Sequence, residues 1–450
     1  MNRLIPICTA VAFLFVLNPE AAATREGECV ALDRHATGLA SDLKTDRIAD
    51  PTNDTTIVRL DDLIETALRA NPALRAAYLR SAAMATESLE ARTLPDPTVG
   101  FTYQPMPILT ARGYQRSQWR FEQMIPFPGK RRLRGEVAGL HAEVAESEAD
   151  VLAEDLILQI KQAYDELYRV QEQGRLVEHF QAELRNFEDA AAVRYEVGEG
   201  LQQSILKAQL ERNALSLRLE KLGEEGRTAM ERLAFLLDLP DVSEVEGRVL
   251  ARSPTIRPED GLLARALEVR PEMDALRLEI ERSEKGIDLA RREFLPDFML
   301  SVNYFDIGAS ELMPTATGRD AVALNVGVRL PLWLGKQRAN LQQAKLERSR
   351  AEARLQSLRT SIRTEIADLA YRMEGQERQL ALLEQNLLPQ ARSTVEATLS
   401  AYSTGRTGFL DVLDAERMLF NLRMDQIDTR TRYLQTSAEL ERELGAHAVR

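Results

Sequence analysis

The chain switches between two hydrophobic periods, and the switches define its elements. Residues 60–92 carry apolar positions at helical spacing, and Pro95 and Pro97 predict where that helix ends. Strict alternation follows. Val99, Phe101 and Tyr103 are apolar between Thr98, Gly100, Thr102 and Gln104, and Trp119 and Phe121 alternate with Gln118, Arg120 and Glu122. The same pattern returns at Phe298, Leu300, Val302 and Tyr304, and again at Val322, Leu324, Val326, Val328 and Leu330. Period-two patterning predicts four strands, each with one apolar and one polar face. Long heptad-like stripes follow each strand pair: Val137, Val144, Val151 and Leu158, then Ala351 to Met373 by threes and fours, then Leu413, Phe420, Ile427 and Leu434. They predict coiled-coil packing. A helix over residues 131–197 would reach about 100 Å at 1.5 Å per residue.

Self-comparison shows one unit written twice. Leu94-Pro95-Asp96 returns as Leu295-Pro296-Asp297, and Ile125-Pro126 with Gly129-Lys130 returns as Leu330-Pro331 with Gly335-Lys336. Tyr195-Glu196-Val197-Gly198 returns as Tyr402-Ser403-Thr404-Gly405, and the apolar run ending at Asn71-Pro72 returns before Arg270-Pro271. The echoes keep their order, which places a first repeat at 57–250 and a second at 251–450, each a helix, a strand pair and a long helical hairpin.

The start of the chain reads differently. Arg3 precedes an apolar run from Leu4 to Leu17, and Ala21-Ala22-Ala23 supplies small residues, so 1–23 is expected to be a secretory signal peptide cut after Ala23. Residues 24–56 are polar and aperiodic, an N-terminal arm. Cys29 is then the sole thiol, and Glu26-Gly27-Glu28 before it is no lipidation box, so no N-terminal lipid is expected. The net charge of −12 disfavours nucleic acid as a partner, because an acidic surface repels phosphates.

The strands carry the functional argument. Each is about ten residues long, enough to cross a bilayer when tilted. Four strands cannot close into a barrel, so membrane strands would have to be pooled among two, three or four chains. A soluble four-stranded sheet packed on the helices is the alternative.

Taken together, the doubled layout, the paired Tyr-x-x-Gly turns and Phe409-Leu410-Asp411-Val412-Leu413-Asp414-Ala415 resemble the TolC family of outer-membrane efflux and secretion proteins. Gln123-Met124-Ile125-Pro126-Phe127-Pro128-Gly129-Lys130, followed by Arg134, is similar to the heavy-metal efflux branch, CzcC- and CusC-like. The resemblance implies a mainly α fold with a membrane β-barrel part. It implies a homotrimer with twelve pooled strands in one barrel, continued into the periplasm by a long coiled-coil α-barrel. Residues 60–70 and 262–270 would form a belt around its middle. Residues 104–116 and 306–320 would be outward loops, and the turns at Tyr195 and Tyr402 the periplasmic tips.

Candidate residues follow from that frame. Asp411 and Asp414 stand three apart after Gly408, on one helix face. By themselves they read as first-turn acids favoured by the helix dipole. The resemblance makes them a periplasmic aperture, with three copies ringing the pore with carboxylates and favouring cations. Tyr195, Gly198, Tyr402, Gly405 and Arg406 belong to the tip turns. Tyr402 matches a tyrosine of the family's closed-state latch. The family's arginine position falls on Thr407, beside Arg406, and its acidic position near Gln203-Ser204, so the latch pattern is incomplete. Gly198 and Gly405 are expected to end their helices in left-handed conformation. Residues 130–134 form a basic run expected to be a solvated or headgroup-facing collar, not a phosphate loop. His35, His141, His179 and His447 are scattered, so no metal site and no cofactor is expected, and no nucleophile arrangement marks an enzyme.

The expected function is an outer-membrane efflux channel. It would conduct heavy-metal cations or small toxic compounds passively from a periplasmic membrane-fusion adaptor and an inner-membrane pump of the resistance-nodulation-division (RND) type. Alternatives are a type I protein-secretion duct and a soluble periplasmic coiled-coil adaptor or scaffold.

Overall fold

The structure, a computed structural model, describes residues 57–198, 201–240, 248–249, 261–309 and 317–445. The expected signal peptide and arm lie outside the described residues, as do Cys29, His35 and His447.

Among the described residues, the elements from Leu60 onward are helices, one four-stranded sheet and the two-residue strand Arg248–Val249. A short helix α1 (Leu60–Ala70) is followed by α2 (Pro72–Arg92). The sequence predicted one helix here, and the structure breaks it at Asn71. The Asn71 side-chain oxygen accepts from the amides of Ala73 and Leu74 at 3.0 and 3.1 Å, and Pro72 occupies the first helical position. A capping side chain followed by a proline starts a new helix rather than continuing the old one. The second repeat breaks likewise between α5 (Leu262–Val269) and α6 (Pro271–Arg292).

Strands β1 (Thr98–Thr110), β2 (Gly113–Ile125), β3 (Asp297–Gly308) and β4 (Ala321–Arg329) form one antiparallel sheet in the order β1-β2-β3-β4. The long outward loop expected at 104–116 is mostly strand. It contains Pro105 and Pro107, which β1 tolerates because within one chain it is an edge strand, where a missing amide costs no ladder bond on the open side. The register slips between Tyr103 and Ile108, where the prolines sit. The strands of the second hairpin are joined by a connection whose residues 310–316 lie outside the described residues.

Long helices follow each strand pair: α3 (Lys130–Glu196, 67 residues) and α4 (Gln202–Leu237), then α7 (Leu334–Leu382), a π-helical turn (Leu383–Leu387), α8 (Leu388–Ser403) and α9 (Phe409–Glu443). The π turn has a local cause. Pro389 lacks an amide and its ring would clash with the carbonyl of Gln385, and a wider turn relieves both.

The seam along α3 keeps a seven-residue repeat in a different phase from the one the sequence suggested. Ala142, Ala149, Leu156, Ala163, Val170, Val177, Leu184 and Ala191 are all buried, whereas Val137, Val151 and Leu158 are only partly so. Helix α4 answers with Ala208, Leu215, Leu222, Ala229 and Leu236, also seven apart and buried. Small residues let the two backbones approach closely, and a strict period of seven makes the pair supercoil. Phe180 of α3 stacks on Phe420 of α9 with ring centroids 4.7 Å apart, tying the hairpins of the two repeats together. Beside this apolar core runs a buried polar contact: Lys161 of α3 pairs with Glu441 of α9, which also accepts from Ser437.

Candidate functional site

The two faces of the sheet differ: the polar face is buried along the central strand β3, and the apolar face is largely exposed. Ser301 and Asn303 are 9% and 5% exposed, whereas Val326 is 74% exposed. The register explains how. Phe101, Trp119, Tyr304 and Val322 lie opposite one another across the four strands, as do Val99, Phe121, Val302 and Leu324. Between them run the polar rows: Thr98, Glu122, Ser301 and Asn325, then Gly100, Arg120, Asn303 and Ala323. The polar groups satisfy one another. The Asn303 side-chain oxygen accepts from Gln118 Nε2 at 2.9 Å and Arg120 Nε at 3.1 Å, and Asn325 donates to Ser301 Oγ at 3.4 Å. On the other side, Phe101 and Trp119 pack with centroids 4.6 Å apart. A water-soluble sheet buries its apolar face, because each apolar side chain left in water forgoes about 1.5–3 kcal/mol. An apolar outer band around a hydrogen-bonded polar interior is what a bilayer selects. No helix among the described residues is long and apolar enough to cross a membrane.

The basic run below the sheet is not the solvated collar expected from the sequence. Lys130 is 1% exposed. Its ammonium donates to the Leu295 carbonyl at 2.8 Å and to Asp297 Oδ1 at 2.9 Å, and the Phe127 amide donates to the same carboxylate oxygen at 2.9 Å. Arg134 pairs with Glu293 at 2.9 Å. Arg132 behaves as expected, on the surface with Glu136 at 2.6 Å. The partners of Lys130 lie about 165 positions away, beyond the reach of a local reading of charge.

At the opposite end of the helices lie the two tip turns. Gly198 (φ +80°) follows α3 and Gly405 (φ +74°) follows α8, both in the left-handed region with open space where a Cβ would point. The Gly405 amide donates to the Tyr402 carbonyl at 3.1 Å and the Arg406 amide to that of Ala401 at 2.9 Å, which closes the helix end. Arg406 is exposed and its Nε donates to Thr404 Oγ1 at 3.0 Å. The partner of Tyr402 is a residue the sequence reading missed. Arg194 of α3 sits over the Tyr402 ring, 4.1 Å from its centroid, and the ring meets Phe409 edge-on at 6.3 Å. The Tyr195 side chain, one residue on, is half exposed. Arg194 thus helps join the two tips within one chain, beside the Phe187–Phe409 ring contact at 6.3 Å, and only its position next to the Tyr-x-x-Gly turn hinted at it.

Asp411 and Asp414 are both exposed on the first turns of α9, while Val412, Leu413, Ala415 and Glu416 behind them are buried. The Thr407 hydroxyl and the Gly408 amide donate to Asp411 Oδ2, and these bonds hold its carboxyl below the ordinary range. Asp411 therefore carries full negative charge at any physiological pH. Asp414 faces Arg417 at 4.0 Å, a loose surface pair. No cluster of His, Cys, Asp and Glu able to hold a metal ion occurs among the described residues.

Comparison with known proteins agrees with this architecture. The family model described as "Outer membrane efflux protein" matches residues 262–446, the second repeat. The cobalt-zinc-cadmium resistance protein CzcC of Cupriavidus metallidurans is 23% identical over 359 residues, covering 79% of this chain and 82% of that relative. The outer membrane protein TolC of Vibrio cholerae is 23% identical over 347 residues and 74% of each chain. Among solved structures, the outer-membrane channel OprN superposes with a TM-score of 0.71 at 20% identity, covering 86% of this chain and 89% of its own. The apolar outer band, the doubled sheet-and-hairpin layout and these similarities converge: the second repeat matches the outer membrane efflux protein family, and the chain has the fold of outer-membrane channel proteins.

Proposed function

We propose that three copies pool their strands into one twelve-stranded barrel and conduct substrate passively outward, received through a periplasmic adaptor from an inner-membrane RND pump. The observation that carries the reading is the open sheet. Strands β1 and β4 are unpaired edges in one chain, and in lipid each unpaired backbone group costs several kcal/mol. Copies joined edge to edge remove that cost. No nucleotide-binding motif occurs in the sequence, so the energy for transport comes from the partner. The substrate class follows from charge and kinship. Asp411 and Asp414, exposed at the periplasmic tips, set a ring of six carboxylates that favours cations, and the similarity to CzcC extends over most of both chains. Heavy-metal cations and small toxic cations are therefore the proposed cargo. The scaffold alternative has no use for an exposed apolar sheet.

The test is reversal potential across a planar bilayer under a salt gradient, for wild type and for Asp411→Asn with Asp414→Asn. The double variant is expected to lose most of the cation preference while keeping its conductance. Unchanged selectivity would remove the ring from the mechanism.

A further inference from the structure

The two repeats build corresponding strand-to-helix corners, Gly129-Lys130 after β2 and Gly335-Lys336 after β4, and the two differ in what covers them. After β2, Pro126 and Lys130 are buried and Phe127 is half-buried. The cover is the segment Leu295-Pro296-Asp297 that leads into β3. It supplies the carbonyl and carboxylate that hold Lys130, and Phe298 just beyond it stacks on Phe127 with centroids 6.4 Å apart. After β4 the corresponding turn is one residue longer and α7 starts at Leu334, so Lys336 lies in the first helical turn, where its amide donates to the Trp333 carbonyl at 3.0 Å as the Lys130 amide donates to that of Phe127 at 3.1 Å. Yet Leu332, Trp333 and Leu334 are exposed, Trp333 by 82%, and Lys336 with them. The repeat's counterpart of the covering segment is Leu94-Pro95-Asp96, and it too is exposed.

Sheet order shows why neither is covered within one chain. The first corner and its cover flank adjacent strands, β2 and β3. The second corner follows β4 and its would-be cover precedes β1, at opposite open edges. Strand β4 runs in the direction of β2 and β1 in the direction of β3, because every neighbouring pair is antiparallel. Placing β4 of one copy beside β1 of the next therefore recreates the β2–β3 relation. A large exposed indole next to an exposed lysine is otherwise costly, and an apolar cluster of this kind marks an interface.

We propose that Lys336 of one copy is buried in an ion pair with Asp96 of the neighbouring copy, with Trp333 packed over it, as Lys130 is with Asp297 inside each chain. The proposal rests on the edge-to-edge assembly above and adds a specific lock to it: alternating internal and intersubunit ion pairs around the base of the barrel. It names the residues that make a second copy, rather than any other partner, the occupant of this surface.

The full-length protein in detergent tests it through the half-life of the assembled oligomer at a fixed elevated temperature, with far-UV circular dichroism reporting the fold. Lys336→Asp alone and Asp96→Lys alone each set like charges face to face and are expected to shorten that half-life about tenfold or more. The double exchange, Lys336→Asp with Asp96→Lys, restores opposite charges and is expected to return it to within about threefold of wild type. Separately, Asp96→Cys with Lys336→Cys on a Cys29→Ser background is expected to give chain-to-chain products with a short bis-maleimide. Single exchanges without effect, a double no better than the worse single, or no cross-linked product would overturn the ion pair while leaving an oligomeric channel standing. A wild-type protein that is only monomeric would overturn both this proposal and the assembly on which it rests.

Discussion

Replacing Lys130 with methionine isolates the energetics of the strand-to-helix corner. Methionine keeps most of the buried aliphatic stem, so the loss falls on the charge and its bonds. Two contacts disappear, to the Leu295 carbonyl at 2.8 Å and to Asp297 at 2.9 Å, and a second carboxylate, Glu293, stands at 3.8 Å. Breaking one side of a buried ion pair costs about 3–5 kcal/mol. Here Asp297 keeps the Phe127 amide and is 18% exposed, so the lower end, about 3 kcal/mol, applies. Arg132→Met is the companion. It removes an exposed pair with Glu136 on the same helix turn and is expected to cost no more than about 0.5 kcal/mol. The assay is urea unfolding in detergent followed at 222 nm, read as the shift in midpoint at constant slope. Equal shifts for the two variants would refute the claim that Lys130 is a buried structural cation.

Further outcomes follow from other parts of the structure. Burial and the neighbouring Glu365 push the Glu443 carboxyl up to about 7 against the opposing pull of Arg270, from an ordinary value of 4.5. A folded value above the unfolded one means the protonated form is the more stable, so this contribution is complete below about pH 4.5 and is lost as pH rises through 7. Wild type is expected to lose melting temperature relative to Glu443→Gln across that window, and parallel curves would contradict the assignment. Arg194→Ala removes the cation over the Tyr402 ring, worth about 0.5–1 kcal/mol at an exposed site. Spontaneous channel openings are expected about two- to fivefold more often, and an unchanged frequency would show that this contact does not restrain the tips. Gly405→Ala places a Cβ at φ +74° and is expected to cost about 1 kcal/mol, whereas Gly335→Ala, at an ordinary φ in open space, is not; a thermal melt distinguishes them.

Much of this architecture was readable because its periods are strong. Alternation at Val99, Phe101 and Tyr103 and at Val322 to Leu330 marked the sheet, since a strand between lipid and a polar interior leaves no freedom in either face. The heptads announced coiled coils but in the wrong phase for α3. Half of its buried seam is alanine, which contributes little to a hydrophobic stripe, while the more conspicuous valines at 137 and 151 sit at its margin. The helix break at Asn71 was signalled locally by a capping residue before proline and was passed over. The resemblance placed an outward loop at 104–116 where β1 continues to Thr110, and the tolerance of Pro105 and Pro107 there depends on β1 being an edge within one chain, which is a property of the whole sheet. The burial of Lys130 and the Arg194–Tyr402 contact depend on partners about 165 and 208 positions away, and no local pattern carries such information. Asp411 and Asp414 were legible as an exposed pair on one face, and the structure adds the Thr407 and Gly408 bonds that keep Asp411 ionised.

The central claim is that this chain lines a transmembrane duct, and single-channel recording of the detergent-purified protein in a planar bilayer tests it most directly. The account predicts discrete, cation-selective conductance steps from an oligomer that detergent alone extracts. A protein released without detergent as a monomer, and silent in the bilayer at every voltage, would contradict it.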